Sequence, residues 1–438
     1  MRFYNRNKEI KKLKEIAFSS SNLAQFTVLT GRRRIGKTQL LLKAFEDQIY
    51  IYFFVSKKSE VLLCKDFVQE LSSKLSVPIL GEVSSFTAIL EYIFQLSKKQ
   101  TITLIIDEFQ EFYTVNPSIY SDMQRLWDLN KETARLNLIV SGSVISLMHR
   151  IFENSKEPLF GRAQHFIRLQ PFDTSTLKEI LADHLPNYTS EDLLALYSFT
   201  GGVAKYVELL MDQKAYKKEA MIRCIASKDS IFISEGKNVL IEEFGKEYMT
   251  YFSILSIISE GKNTRSQIED QLTKEVSGFL TKLEHDFQLI KRVTPILSSP
   301  TKHMKYFLED NFLIFWFRFI YKYNHMTEIG SFDLLQQIIE RDYAIFSGMM
   351  LERYFRLQAS ESGNFTHIGS YWDRKGEIEI DMILINDISK TIRFTEIKRN
   401  KQKISISSLT NKSLHFESMH PIVKSYTKEV DGLSMENM

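Results

Sequence analysis

The apolar positions of this chain alternate between two periods. Residues 6–18 repeat at helical spacing, and the continuous run Phe26-Thr27-Val28-Leu29-Thr30 then predicts a short buried strand. The spacing predicts a helix over 39–45, a strand over 49–55, helices over 62–75 and 86–96, and apolar strands over 102–106, 136–140 and 165–169. Strands alternating with helices predict a parallel sheet covered by helices as far as about residue 170. From 175 to about 220 the pattern is helical, through Leu177, Ile180 and Leu181, then Leu193, Leu194 and Leu196, then Val207, Leu209 and Leu210; this predicts a small lid bundle. The mixed, charged segment 214–247 reads as a connector.

Between 248 and 308 the pattern predicts helices over 251–259, from Thr264, and over 275–285, with a turn at Gly261. Two short strands, Leu289-Ile290-Lys291-Arg292-Val293 and Lys305-Tyr306-Phe307-Leu308, joined through Pro295 to Pro300, complete the outline of a winged helix-turn-helix. The run Phe312-Leu313-Ile314-Phe315-Trp316-Phe317 ends at Arg318, short of the roughly 20 residues a spanning helix needs, and predicts a buried helix. From about 331 the order is helix, strand, strand, helix.

A length of 438 residues, set against about 150 per domain, predicts two or three domains. With 44% hydrophobic and 25% charged residues the chain has globular composition, and 32 Phe against 8 Pro argues against long disordered tracts. A net charge of +3 means that any nucleic-acid surface has to come from local clustering. Cys64 and Cys224 lie apart in apolar-rich segments, the pattern of reduced structural thiols rather than of a disulfide or zinc framework. The N-terminus carries charge from the start, with no apolar signal core, so a cytoplasmic protein without a membrane segment is expected.

The chemistry is concentrated in Gly31-Arg32-Arg33-Arg34-Ile35-Gly36-Lys37-Thr38, which fits the phosphate loop G-x-x-x-x-G-K-[ST] between a predicted strand and a predicted helix. Gly31 and Gly36 let backbone N–H groups turn toward phosphate, Lys37 reaches the β and γ oxygens, and the Thr38 hydroxyl is placed on Mg²⁺. Arg34, Ile35 and Gln39 complete the expected nucleotide-binding set. Thr103-Leu104-Ile105-Ile106-Asp107-Glu108 supplies the acidic strand end that hydrolysis requires, with Asp107 holding the metal, usually through water, and Glu108 as general base. Ser141-Gly142-Ser143 follows another strand; either serine, Ser143 in particular, is a candidate to orient water, against a plain turn. Arg162 is a candidate cation for transition-state charge, in cis or from a neighbouring copy in a homo-oligomer, against a structural arginine.

Phe3 with Arg6 and Glu9, the loop Thr30 to Thr38, Asp107-Glu108-Phe109-Gln110, Ser141-Gly142-Ser143, Gly161-Arg162 and Gly201-Gly202 together resemble the archaeal-type AAA+ ATPases, a P-loop family also common in bacteria. The resemblance covers nearly the whole N-terminal half and implies ATP and Mg²⁺ as cofactors. Ala204 stands where relatives usually carry proline, and Lys205 stands where a lid helix often places a sensor arginine.

In the C-terminal half, Glu377-Ile378-Glu379-Ile380-Asp381-Met382-Ile383 and Phe394-Thr395-Glu396-Ile397-Lys398 alternate polar and apolar, so the acids and Lys398 share faces of neighbouring strands. With Glu352 on a helix over 349–357, three carboxylates and a lysine could converge. Asp381 and Glu396, with Glu352, would hold Mg²⁺, and Lys398 would position a nucleophile for phosphodiester hydrolysis; the alternative is a salt-bridged ribbon. The segment from Tyr371-Trp372-Asp373-Arg374-Lys375 through Lys398-Arg399-Asn400-Lys401 resembles the PD-(D/E)XK nuclease-like domain that follows the ATPase in one branch of this family, and 310–319 resembles that branch's linker helix. Ile380 replaces the usual proline. The resemblance implies either a competent nuclease or a degenerate version that binds DNA or is structural. Arg393, Lys398, Arg399, Lys401, Lys403 and Lys412 cluster around this site, and Lys274, Lys282, Lys291 and Arg292 lie in the winged helix, a module that docks DNA or protein.

These readings give an α/β fold class: a P-loop AAA+ core over 1–172, a helical lid and connector over 173–245, a winged helix and linker helix over 246–330, and a restriction-endonuclease-like domain over 331–438. The expected function is an ATP-hydrolysing protein acting on DNA with a Mg-dependent nuclease-like domain. The alternative is a non-catalytic NTP-dependent switch that binds DNA or protein. A small-molecule kinase is disfavoured by Glu108 and by the size of the C-terminal half.

Overall fold

The computed structural model describes residues 1–75, 83–244, 248–298, 303–374 and 376–438. The expected boundary at 245–246, Pro300 and Lys375 lie outside the described residues. Contacts divide the chain into a unit of Asn5–Gln170 and a larger unit of Pro171–Met438 with Met1–Tyr4.

In the smaller unit the apolar runs become β1 (Gln25–Thr30), β2 (Tyr50–Phe54), β3 (Ile102–Asp107), β4 (Leu136–Gly142) and β5 (His165–Arg168). They form one sheet in the order β2-β3-β4-β1-β5, and every neighbouring pair is parallel. β3 and β4 are buried at every position, which explains why they read as continuous apolar runs: helices cover both faces. One face packs an aromatic core in which Phe26 lies 5.1 Å from Trp127 and Phe53 stacks on Phe67 at 4.3 Å. Emptying such a site by Phe→Ala costs about 3–5 kcal/mol. The strand order sets the carboxyl ends of β1, β3 and β4 side by side, where open α/β sheets bind ligands.

The larger unit begins with helices Thr174–His184, Ser190–Thr200 and Ala204–Asp212. Helix Ser190–Thr200 is closed at its start by a Thr189–Asp192 capping box and carries buried residues all round, from Leu193 through Phe199, so it is the hub of its bundle. Of the expected connector over 214–247, residues 245–247 lie outside the described residues, and the rest contains two helices, Lys218–Ile225 and Ile231–Phe244. Its charges had masked an amphipathic stripe: Met221, Ile222 and Ile225, then Phe232 and Leu240, are buried, and the Ile233 carbonyl accepts the Trp316 indole N–H at 3.0 Å.

Helices Tyr248–Ser259, Arg265–Leu272 and Ser277–His285 follow, then an antiparallel ribbon of β6 (Ile290–Val293) and β7 (Lys305–Leu308). The aromatic run is the buried helix Asn311–Phe315, which widens into a π-helical turn over Trp316–Tyr321. Phe315 packs on Phe199 at 4.8 Å, so this segment seats on the hub helix.

Helix Phe332–Ser362 leads into β8 (His367–Trp372), β9 (Glu379–Asn386) and β10 (Thr391–Ile397), then helix Ile406–Met419 and β11 (Thr427–Leu433). The sheet order is β11-β10-β9-β8, with β10 and β11 parallel and the remaining neighbours antiparallel. Two strands exceed the expected helix, strand, strand, helix. β8 is interrupted by a register shift between Gly369 and Tyr371, and β11 is an edge strand rich in charge, so neither shows the regular alternation of a half-buried strand. The parallel β11 is reached by a helical crossover, as parallel pairing requires. No helix among the described residues is long and apolar enough to cross a membrane.

Candidate nucleotide site and C-terminal carboxylate cluster

The loop between β1 and helix Lys37–Ala44 is shaped by two glycines. Gly36 precedes the helix at φ 95°, in the left-handed region where a side chain is strained. At Gly31 a Cβ would lie 2.9 Å from the Leu169 carbonyl oxygen, so the neighbouring chain leaves no room for one. Lys37 is buried, and its ammonium donates to the Gly31 and Arg32 carbonyls at 3.0 and 3.3 Å, which holds it across its own loop. Arg34 turns through φ 67° and Ile35 is buried beneath the loop.

Asp107, buried at the end of β3, gathers the site. Its Oδ2 accepts the Thr38 hydroxyl at 2.7 Å and the Tyr52 hydroxyl at 2.7 Å; its Oδ1 accepts the Glu108 backbone N–H at 3.0 Å and the Ser141 hydroxyl. A carboxylate has about four lone-pair sites, and all four are engaged. Tyr52 carries no motif, and sequence reasoning missed it. The available signal was periodicity: Tyr52 pairs with Ile105 and Phe54 with Asp107, so Tyr52 and Asp107 share one face of the sheet. Burial first, then the charge of Asp107, pushes the Tyr52 phenol well above its ordinary value, so it remains a donor.

Glu108 follows with φ 55°, a left-handed turn that carries its carboxylate off the strand line. Its Oε2 accepts the Ser143 hydroxyl at 2.7 Å and the Gln110 amide at 2.6 Å. The two serines therefore have different partners: Ser141 contacts Asp107 and Ser143 contacts Glu108. Arg162 is not brought to the loop; its guanidinium donates to the Phe160 carbonyl at 2.9 Å and pairs with Asp128 at 3.2 Å. Lys205, in the larger unit, pairs with Glu208 at 2.7 Å. A hydroxyl and a carboxylate of hard oxygen character suit Mg²⁺, whose remaining positions are ordinarily filled by phosphate and water. Thr38 and Asp107 would hold it.

In the C-terminal sheet the register places Met382 opposite Thr395, so Asp381 and Glu396 follow across β9 and β10. Asp381 Oδ2 accepts the Ile397 N–H at 2.8 Å and the Lys398 ammonium at 2.9 Å, while Glu396 Oε1 lies 3.9 Å from Lys398 and its Oε2 accepts the Ser405 N–H at 2.6 Å. Glu352, from helix Phe332–Ser362, pairs with Arg356 at 2.8 Å. Burial pushes the Glu352 carboxyl up to about 7, the Arg356 charge opposing and the Asp381 and Glu379 charges adding. Burial lowers the Lys398 ammonium, but its bond to Asp381 and the surrounding carboxylates more than offset this, leaving it raised.

No group of three or more His, Cys, Asp or Glu side chains among the described residues could hold a metal ion. The expected triple of Glu352, Asp381 and Glu396 is therefore not a three-carboxylate cage. Asp381 and Glu396 form a two-carboxylate arrangement bridged by Lys398, and Glu352 stands beside it with its own arginine. The basic cluster is largely neutralised: Arg393 pairs with Glu429, Arg399 with Glu191 and Lys401 with Glu436, whereas Lys403 is exposed and Lys412 half-buried. Cys64 is buried and Cys224 half-buried; neither is in a disulfide, and burial raises both thiols to about 11.

A parallel sheet of this order, with a phosphate loop leaving β1 and an acidic pair ending β3, defines a P-loop nucleoside triphosphatase. Residues 3–210 match a family described as an ATPase domain predominantly from Archaea, and residues 316–411 match archaeal and bacterial proteins of unknown function. An uncharacterized protein of Methanocaldococcus jannaschii is 31% identical over 406 residues, covering 90% of this chain and 87% of its own. The chain belongs to the archaeal-type ATPase family. Among solved structures, the Walker-type ATPase PABY2304 of Pyrococcus abyssi superposes with a TM-score of 0.55 at 16% identity, over 72% of this chain and 96% of its own. The ORC2 protein of Aeropyrum pernix, solved as ADPNP–ADP complexes, gives 0.50 at 12% identity, over 75% and 95%. These two share its fold.

Proposed function

We propose that this ATPase is a nucleotide-driven switch whose ATP-bound and hydrolysed states govern engagement of DNA by its C-terminal half. The observation that carries the reading is the linked set Thr38, Asp107, Glu108 and Ser143. Lys37 would bind the phosphates and Thr38 and Asp107 would hold Mg²⁺, which when bound neutralises developing charge on the phosphoryl oxygens. Glu108, oriented by Ser143 and Gln110, would accept a proton from the attacking water. Three helices followed by an antiparallel ribbon have the order of a winged helix, whose exposed Lys291 and Arg292 lie on β6 and support DNA as the partner.

A second reading, phosphodiester cleavage, is favoured by Asp381 and Glu396 meeting around Lys398. There Lys398 would position a nucleophile. Purified protein incubated with ATP, Mg²⁺ or Mn²⁺ and plasmid DNA tests both readings. ATP turnover that responds to DNA, with the plasmid intact, supports the switch. Cleavage that disappears in Asp381→Ala supports the nuclease, and turnover indifferent to DNA points to a protein partner instead.

A further inference from the structure

Tyr52 stands at the nucleotide site outside every sequence motif, and it makes a demanding contact. Its hydroxyl donates to the same Asp107 oxygen that accepts Thr38, each at 2.7 Å. The other oxygen is engaged by the Glu108 N–H and the Ser141 hydroxyl. Two of these four donors are fixed by their function. The Glu108 N–H is backbone, and the Thr38 hydroxyl can keep donating to Asp107 while it turns a lone pair to a metal. A water carried by Mg²⁺ would also have to donate to Asp107, and the carboxylate has no lone pair left for it. One donor has to withdraw.

We propose that Tyr52 is the donor that yields, so that it acts as a positioning residue which holds Asp107 and competes with metal-borne water for Oδ2. Its placement favours this role over Ser141. Ser141 is fully buried on the central strand β4, whereas Tyr52 stands half-buried on β2 at the edge of the sheet, where a phenol can swing without disturbing the core. Tyr52 thereby sets the metal concentration at which the site loads. The proposal rests on the assignment of Mg²⁺ to Thr38 and Asp107.

The test is direct metal binding by the full chain in the presence of ADP, with Mn²⁺ as the paramagnetic probe, followed by electron paramagnetic resonance. Tyr52→Phe keeps the ring and removes the donor, so Mn²⁺ should bind about tenfold to a hundredfold more tightly, the scale of releasing one hydrogen bond to a charged group. ADP affinity measured in EDTA should not change. Tyr52→Leu should shift Mn²⁺ affinity in the same direction, and thermal melts report whether either variant is folded. Mn²⁺ affinity equal to or weaker than wild type in the folded variants overturns the role of Tyr52. Thr38→Ala should weaken Mn²⁺ binding in the same assay; if it does not, the magnesium assignment fails and takes the proposal with it.

Discussion

Replacing Arg399 by alanine probes the bond that ties the C-terminal sheet to the hub helix within the larger unit. The guanidinium donates to both Glu191 oxygens, at 2.9 and 2.7 Å, and to Ser347 Oγ, with its centre 5.5 Å from the middle of the Tyr343 ring. The Arg399 and Glu191 side chains are 24% and 29% exposed, so solvent screens the pair only in part. Exposed pairs contribute about 0–1 kcal/mol, whereas breaking a buried one costs about 3–5 kcal/mol. The intermediate shielding puts Arg399→Ala at about 2–3 kcal/mol, and Glu191→Ala lower, because Arg399 keeps Ser347 and Tyr343. A double-mutant cycle should give a coupling of about 1–2 kcal/mol. Urea unfolding followed by fluorescence reads it: of the 3 tryptophans, Trp316 and Trp372 lie in the larger unit, and Trp127→Phe silences the third. A coupling below about 0.5 kcal/mol would show that the pair contributes no more than an exposed one and would refute the argument.

Other consequences are as definite. Lys37→Ala should abolish ATP binding in calorimetry; unchanged affinity would remove the nucleotide site. Glu108→Gln should keep ATP binding but slow hydrolysis by about 10²–10⁴-fold, the range for losing a general base; near-normal turnover assigns that role elsewhere. The Glu352 carboxyl, raised from 4.5 to about 7, binds its proton more tightly in the folded state. Its contribution is therefore full below about pH 4.5 and declines as pH rises through 7. The full shift corresponds to about 3 kcal/mol, and partial exposure reduces it to about 1–2 kcal/mol. Glu352→Gln should flatten the stability profile between pH 5 and 8 in thermal melts; an unchanged slope would place the titration in another group.

The nucleotide site was legible where chemistry is local. A phosphate loop uses consecutive residues, so Gly31 to Thr38 declared itself, as did Asp107-Glu108 after an apolar strand. What contacts those residues was not legible. Tyr52 and Gln110 reach Asp107 and Glu108 through sheet register and a turn, and Arg162 turned out to be engaged with Asp128. The helices within 214–247 were hidden because their apolar residues are spaced among charges, and β8 and β11 because an interrupted strand and a charged edge strand lack alternation.

The sequence by itself determined that this chain has a parallel α/β core with a phosphate loop, because phosphate recognition and buried-strand patterning are properties of short contiguous segments. Only the tertiary structure decided where the C-terminal acids stand relative to one another. Asp381, Glu396 and Lys398 meet because β9 pairs with β10, while Glu352, from a separate helix, is engaged with Arg356 instead of completing a three-carboxylate set. Convergence of side chains distant in sequence depends on register and helix placement, and those are set by how whole elements bury their apolar faces.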